Sequence, residues 1–270
     1  PPLTLPSPRR GEGFRGCIIR SVSTLAATAG GISVRGKLMA TLFVAQVCGS
    51  TGQSIVLAVG SILAASITGT NTWSGLPVAV GALGTALASW PLSRLMARSG
   101  RRPGLALGYS LAIVGALLGM MGVAVRSFPL MLAGMALFGI ASTSNLLARY
   151  AAADVSPGAQ RGRAMGLIVW GSTIGSIIGP NLMGPALRLG ALLGIESTAS
   201  AFLVSVGGYA VGALLIQIFL RPDPLALARQ AQEIADTGKP AVLARSLGVI
   251  LTDVRVQIAL TTLAISQFVM

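Results

Sequence analysis

The chain has 270 residues, of which 53% are hydrophobic and only 10% charged, and its net charge is +13. Soluble domains carry roughly 25% charged residues, so the composition excludes an ordinary globular domain. There is no His, and Cys17 and Cys48 show neither metal nor disulfide spacing, so no metal site or cofactor is implied and enzyme chemistry is disfavoured.

Residues 1–36 differ in kind from the rest. The stretch PPLTLPSPRRGEGFRG is rich in Pro, Gly and Arg and reads as a disordered cytoplasmic tail, with a transit or signal segment as the lesser alternative. Residues 37–220 read as a six-span bundle. Apolar runs of the length a bilayer requires fall at roughly 38–66, 76–96, 104–124, 129–150, 164–187 and 201–220. Residues 221–255 are polar and read as a cytoplasmic loop containing a short amphipathic helix, with Leu225, Ala228 and Ile234 apolar. Residues 256–270 are apolar again but too short to span. They read as a seventh span cut short, making the chain a fragment that lacks a C-terminal half.

With the N-terminus placed inside, every Lys and Arg except Arg126 and Arg188 falls on the inner side. This asymmetry predicts a multi-pass protein of the inner (plasma) membrane with a cytoplasmic N-terminus. The same distribution argues against nucleic acid as a partner, because no basic patch with interleaved aromatics exists.

Three of the spans carry unusual residues. The first contains Gln46, Ser50, Thr51, Gln53 and Ser54, and the fourth contains Ser142, Thr143, Ser144, Asn145 and Arg149. Such groups face the bundle interior or water rather than lipid. The fifth contains Gly166, Gly175, Gly179, Pro180 and Gly184. Glycine weakens a helix in water but lets membrane helices approach closely, and Pro180 predicts a kink near the outer end. Gly175 and Gly179 are one turn apart and share a face, expected against the first span or the absent half. Gly166 lies on a roughly opposite face and is expected to contact something else. Spacing alone serves generic small-residue packing equally well.

Six spans, a long loop and a further span resemble the major facilitator superfamily of secondary transporters. Ser93-Arg-Leu-Met-Ala97-Arg98-Ser-Gly100-Arg101-Arg102 resembles that family's signature between its second and third spans, with Arg98, Gly100, Arg101 and Arg102 matching. Ser93 and Ala97 stand where the family has Gly and Asp, so the acidic part of its conformational lock is absent from this loop. Gly166-x8-Gly175-x3-Gly179-Pro180-x2-Met183-Gly184 resembles the fifth-span motif of the family's antiporters, departing only at Met183. A fourth-span Arg associated with proton coupling in those antiporters aligns with Met135.

The resemblance implies an all-α integral membrane protein, a six-helix half bundle of two three-helix inverted repeats plus the start of a seventh span. It makes the first and fourth spans equivalent and places both on a central pathway. Gln46, Gln53, Asn145 and Arg149 are then the substrate-pathway candidates. Interhelical hydrogen bonding for the amides and snorkelling for Arg149 are the competing readings. In the family's geometry Asp154, expected as the only acid near the basic loops, lies within ion-pair reach of Arg98 or Arg101. No acid lies inside any of the six spans, so proton coupling by an intramembrane carboxylate is not offered by this sequence. The expected function is transport of a small molecule, as efflux by alternating access. The alternative is a non-transporting membrane sensor or scaffold on the same fold. Expected partners are the small-molecule substrate, the lipid bilayer and the missing half of the chain.

Overall fold

The computed structural model describes residues 12–195, 199–227, 254, 256–258 and 261–262. Its helices are α1 (Glu12–Thr68), α2 (Leu76–Ser99), α3 (Arg101–Ala124), α4 (Phe128–Val155), α5 (Arg161–Asn181), α6 (Met183–Leu192) and α7 (Ser200–Phe219). Short 3-10 turns at Asn71–Trp73 and Gly158–Gln160 join neighbours. No strand occurs among the described residues. Most of the 221–255 loop, and all but a few residues of the expected seventh span at 256–270, lie outside the described residues.

The apolar spans account for the helices, because backbone groups in lipid must bond within their own segment. Five helices are long and apolar enough to cross a membrane, and the bent pair α5–α6 makes a sixth. Large apolar side chains are exposed around the bundle, among them Leu87, Trp90, Trp170, Ile177, Leu192 and Ile218. A surface of this kind suits lipid contact. The core between the helices is built from Leu38, Leu42, Ile55, Tyr109, Met135, Phe138, Tyr209 and Ile216.

The packing is a paired arrangement. Helix α1 packs on α5 and α7, and α4 packs on α2 and α3. Spans 1–3 and 4–6 are therefore related as two three-helix repeats. The contacts repeat the same device on both sides. Gly208 of α7 lies against the Cys48 carbonyl of α1, and Gly115 of α3 lies against the Gly134 carbonyl of α4. Gly84 of α2 lies against Ala136 of α4, as Gly175 of α5 lies against Val47 of α1.

Three expectations are corrected. Residues 12–36, expected as a disordered tail, form the first turns of α1; after Pro8 the segment contains no proline, and extending an existing helix costs far less than nucleating one. The expected basic loop after the second span is a single residue, Gly100, with φ +105°, a backbone region glycine enters without strain. Arg101 and Arg102 are already helical, in the first turn of α3. The fifth span, expected to run to residue 187 with only a kink, breaks at Leu182, where α5 and α6 meet at 52°. Pro185 has no N–H to donate to the Asn181 carbonyl, so the helical ladder is interrupted across Leu182, and the chain between Leu189 and Leu192, expected as a connection, is helical.

Candidate functional site

The polar residues of α1, α4 and α5 meet in the bundle interior around a cavity of about 280 Å³. Its wall carries the amides Gln46, Gln53 and Asn145, the hydroxyls Ser50, Ser54, Ser142, Ser172 and Ser176, and Arg149, with Leu57 and Leu146 as its only apolar residues. No carboxylate lines it among the described residues. Placing so many hydrogen-bonding groups among apolar spans is costly unless each finds a partner.

Most do. Gln53 Nε2 donates to Ser142 Oγ at 2.8 Å, and Asn145 Nδ2 donates to Gln53 Oε1 at 2.8 Å and to Tyr209 Oη at 3.4 Å. Tyr109 Oη lies 3.0 Å from Asn145 Oδ1 and 3.1 Å from the Ala45 carbonyl oxygen, so its single proton serves one of them at a time. Tyr109 and Tyr209 pack edge to face at 5.3 Å, which fixes both rings behind Asn145. Gln46 Nε2 donates to Ser172 Oγ at 2.9 Å and to Ser50 Oγ at 3.3 Å.

Two buried atoms of this lining have no partner among the described residues. Gln46 is 1% exposed, yet its Oε1 accepts no hydrogen bond, and the buried Nε of Arg149 donates none. Both residues line the cavity. The structure thus brings Gln46, Gln53, Asn145 and Arg149 to one place. Sequence reasoning did not name Tyr109, Tyr209, Ser172 or Ser176 as part of it. Ser172 and Ser176 are four apart on α5, a spacing that marks one helical face.

A second cluster lies where α2, α3, α4 and α7 end together. Arg101 Nε and Asp154 Oδ2 form an ion pair at 2.7 Å, with the two side chains 17% and 23% exposed. Asp154 sits in the last turn of α4. It is not the only acid here, which corrects the expectation. The Asp223 carboxylate accepts the backbone N–H of Arg101 at 3.1 Å and of Arg102 at 2.9 Å. An N-terminal helix end offers unpaired N–H groups and partial positive charge, and Asp223 answers both from beyond the C-terminus of α7. It also packs against Gly100, where any Cβ would meet its carboxylate. Arg102 Nη2 donates to the Gln217 carbonyl at 2.8 Å and to its side-chain Oε1 at 3.1 Å. Arg98 is exposed and joins no ion pair among the described residues.

The fifth-span glycines divide. A Cβ at Gly175 would lie 2.5 Å from the Val47 carbonyl oxygen and 2.9 Å from the Thr51 nitrogen, and one at Gly179 would lie 2.6 Å from the Thr51 carbonyl oxygen. Both pack on α1. Gly171, not singled out from the sequence, extends the same face onto Phe43. Gly166 and Gly184 are exposed, and a Cβ on either would meet nothing within 4 Å. Gly166 was expected to contact another element; it instead lines an open groove that it shares with Met39 of α1. Pro180 is exposed, next to the break at Leu182.

An all-α bundle of paired spans with an open polar cavity between them is the architecture of a membrane transporter half. The chain belongs to the Major Facilitator Superfamily, whose profile matches residues 42–270. It is 33% identical over 192 residues to the uncharacterized MFS-type transporter YdeG of Bacillus subtilis (strain 168), covering 70% of this chain and 45% of that protein. It is 30% identical over 145 residues to the riboflavin transporter RfnT of Brucella anthropi, covering 53% of this chain and 36% of that protein. Its fold is similar to the crystal structure of the human organic anion transporter MFSD10, with a TM-score of 0.54 and 19% identity over 71% of this chain and 49% of that one. The chain spans less than half the length of these sequence relatives.

Proposed function

We propose that the chain forms one half of the pathway of a secondary transporter in a bacterial plasma membrane, exporting a small polar molecule by alternating access. The observation that carries this is the open polar cavity between α1, α4 and α5, set among helices whose outer faces are apolar. Family membership supports transport rather than catalysis. The Lys and Arg asymmetry supports a cytoplasmic N-terminus, which puts the Arg101–Asp154 end of the bundle in the cytoplasm. The fifth-span glycine pattern, resembling that of the family's antiporters, supports export. That a relative is named for riboflavin supports a cargo of ring size with several hydrogen-bonding edges.

In this reading Gln53 and Asn145 contact the substrate with amide groups already oriented by Ser142, Tyr109 and Tyr209. Little ordering remains to be done on binding. The Arg101–Asp154 pair and the Asp223 cap hold the cytoplasmic end closed while the cavity faces outward. Opening that end exposes the same groups to water, which replaces the lost partners.

The test is flux in everted membrane vesicles from cells that do and do not produce the protein, with labelled flavins and aromatic acids as the panel. Accumulation that depends on the protein, and that Gln53→Leu abolishes at equal membrane insertion, supports export. Equal uptake with and without the inserted protein removes the transport reading and favours the sensor or scaffold alternative.

A further inference from the structure

The cavity is chemically lopsided. Among the described residues its lining holds one cation, Arg149, and no acid; Asp154, five residues further along α4, is paired with Arg101. The Arg149 side chain is half-buried, and a guanidinium so placed interacts more strongly with an anion than it does in bulk water. The second unpartnered group, Gln46 Oε1, is an acceptor in a side chain that is 1% exposed. Its amide nitrogen is already committed to Ser172 and Ser50, which fixes the carbonyl as the free end. The two residues lie toward the same end of the cavity. Arg149 is one turn beyond Asn145 on α4, and Gln46 is two turns before Gln53 on α1, which runs antiparallel to α4.

Resting on the transport reading for its biological role, we infer that this cavity takes a small organic monoanion, its anionic oxygen paired with Arg149 and an N–H or O–H of the same molecule donating to Gln46 Oε1. A buried polar group left empty penalises ligands that do not satisfy it more than it rewards those that do. Cationic analogues are therefore rejected by Arg149. Anions without a donor are rejected by Gln46. The volume of about 280 Å³ suits a single-ring ligand.

Calorimetry on the full chain purified in detergent tests this with four probes of one shape: 4-hydroxybenzoate, neutral 4-hydroxybenzamide, donor-free 4-methoxybenzoate and cationic 4-hydroxybenzylamine. 4-Hydroxybenzoate is expected to bind at least tenfold more tightly than each of the others. Arg149→Gln is expected to weaken 4-hydroxybenzoate at least tenfold and leave 4-hydroxybenzamide within twofold, whereas Arg149→Lys retains part of the preference for the anion. Gln46→Glu, which puts a carboxylate in place of the amide, is expected to abolish binding of 4-hydroxybenzoate. The inference is overturned by 4-hydroxybenzylamine binding as well as 4-hydroxybenzoate, by no binding of 4-hydroxybenzoate at millimolar concentration, or by an unchanged affinity in a folded Arg149→Gln protein. The probe series on the unmodified protein decides the matter even where a variant fails to fold. Counterflow of labelled 4-hydroxybenzoate in proteoliposomes separates the two readings. Charge-selective binding without flux sinks transport and keeps the site; flux of the amine in preference to the acid keeps transport and sinks the anion site.

Discussion

Asn145 is the residue on which the interior network converges. Its side chain meets Gln53, Tyr109 and Tyr209, residues from α1, α3 and α7. Asn145→Leu strips all three at once; Tyr109 keeps the Ala45 carbonyl as its acceptor, while the Tyr209 hydroxyl and Gln53 Oε1 lose the partner they have here. Each such orphan costs about 1–3 kcal/mol in a water-free interior. Tyr109→Phe removes one hydroxyl, and a single interhelical hydrogen bond in a membrane protein averages only about 0.6 kcal/mol. The expected order in a thermal unfolding series in detergent is therefore unmodified protein, then Tyr109→Phe slightly below it, then Asn145→Leu well below both. Equal midpoints for the two variants would show that Asn145 is not the hub. The amides were legible in the sequence because Gln and Asn inside an apolar span have no cheap explanation. The tyrosines were not, because a Tyr in such a span reads as an ordinary membrane aromatic, and only the fold shows that their hydroxyls point at Asn145.

At the scale of the element, α5 shows which part of a glycine pattern is packing. Gly171, Gly175 and Gly179 recur every four residues and face α1. At Gly175 the obstacles to a side chain include the Val47 carbonyl oxygen and the Thr51 nitrogen, backbone atoms that cannot rotate away. Gly175→Ala is expected to destabilise by about 1–3 kcal/mol, the cost of overpacking. Gly166→Ala meets open space and is expected to stabilise slightly, by up to about 1 kcal/mol, because alanine is the better helix former. Unfolding midpoints of the two variants check the contrast; a loss at Gly166 as large as that at Gly175 would refute it. Gly179→Leu is expected to insert normally and abolish vesicle flux, and wild-type flux from it would reduce these glycines to filler. The four-residue spacing carries physical information because it matches the helical repeat. The nine-residue interval from Gly166 to Gly175 does not, and those two glycines have different surroundings.

For the whole bundle, the joint between α2, α3, α4 and α7 ties distant parts of the chain together. Asp154 was legible as an arginine partner because it is the sole acid in the inner loops that join the six spans. Asp223 was not, since it lies beyond α7 and its target is the backbone of Arg101 and Arg102 rather than a side chain. Losing a helix cap costs about 1 kcal/mol, so Asp223→Ala is expected to lower stability by about that amount. Asp154→Asn and Arg101→Gln together are expected to cost less than the sum of the single changes, with a coupling of about 1 kcal/mol, modest because the pair is partly solvated. A double-mutant cycle on unfolding midpoints measures it. Additive effects would mean that the pair is a contact without energetic weight. The six spans themselves follow from the sequence, since apolar length dictates them. The break at Leu182 and the single-residue corner at Gly100 depend on how neighbouring helices meet.

Under the anion-export reading, Arg149 in a cavity whose described lining carries no acid couples the protein to the membrane voltage. With the proposed monoanion bound, the site is electrically neutral, and carrying it across moves no net charge. Empty, the site retains one positive charge. A full elementary charge moved through 100 mV is worth about 2.3 kcal/mol, and the site crosses some fraction of that field. In a cell that is negative inside, the field therefore acts on the empty carrier and draws it back toward the cytoplasm, ready to load again. Under the anion-export reading, the voltage drives the return stroke rather than the delivery.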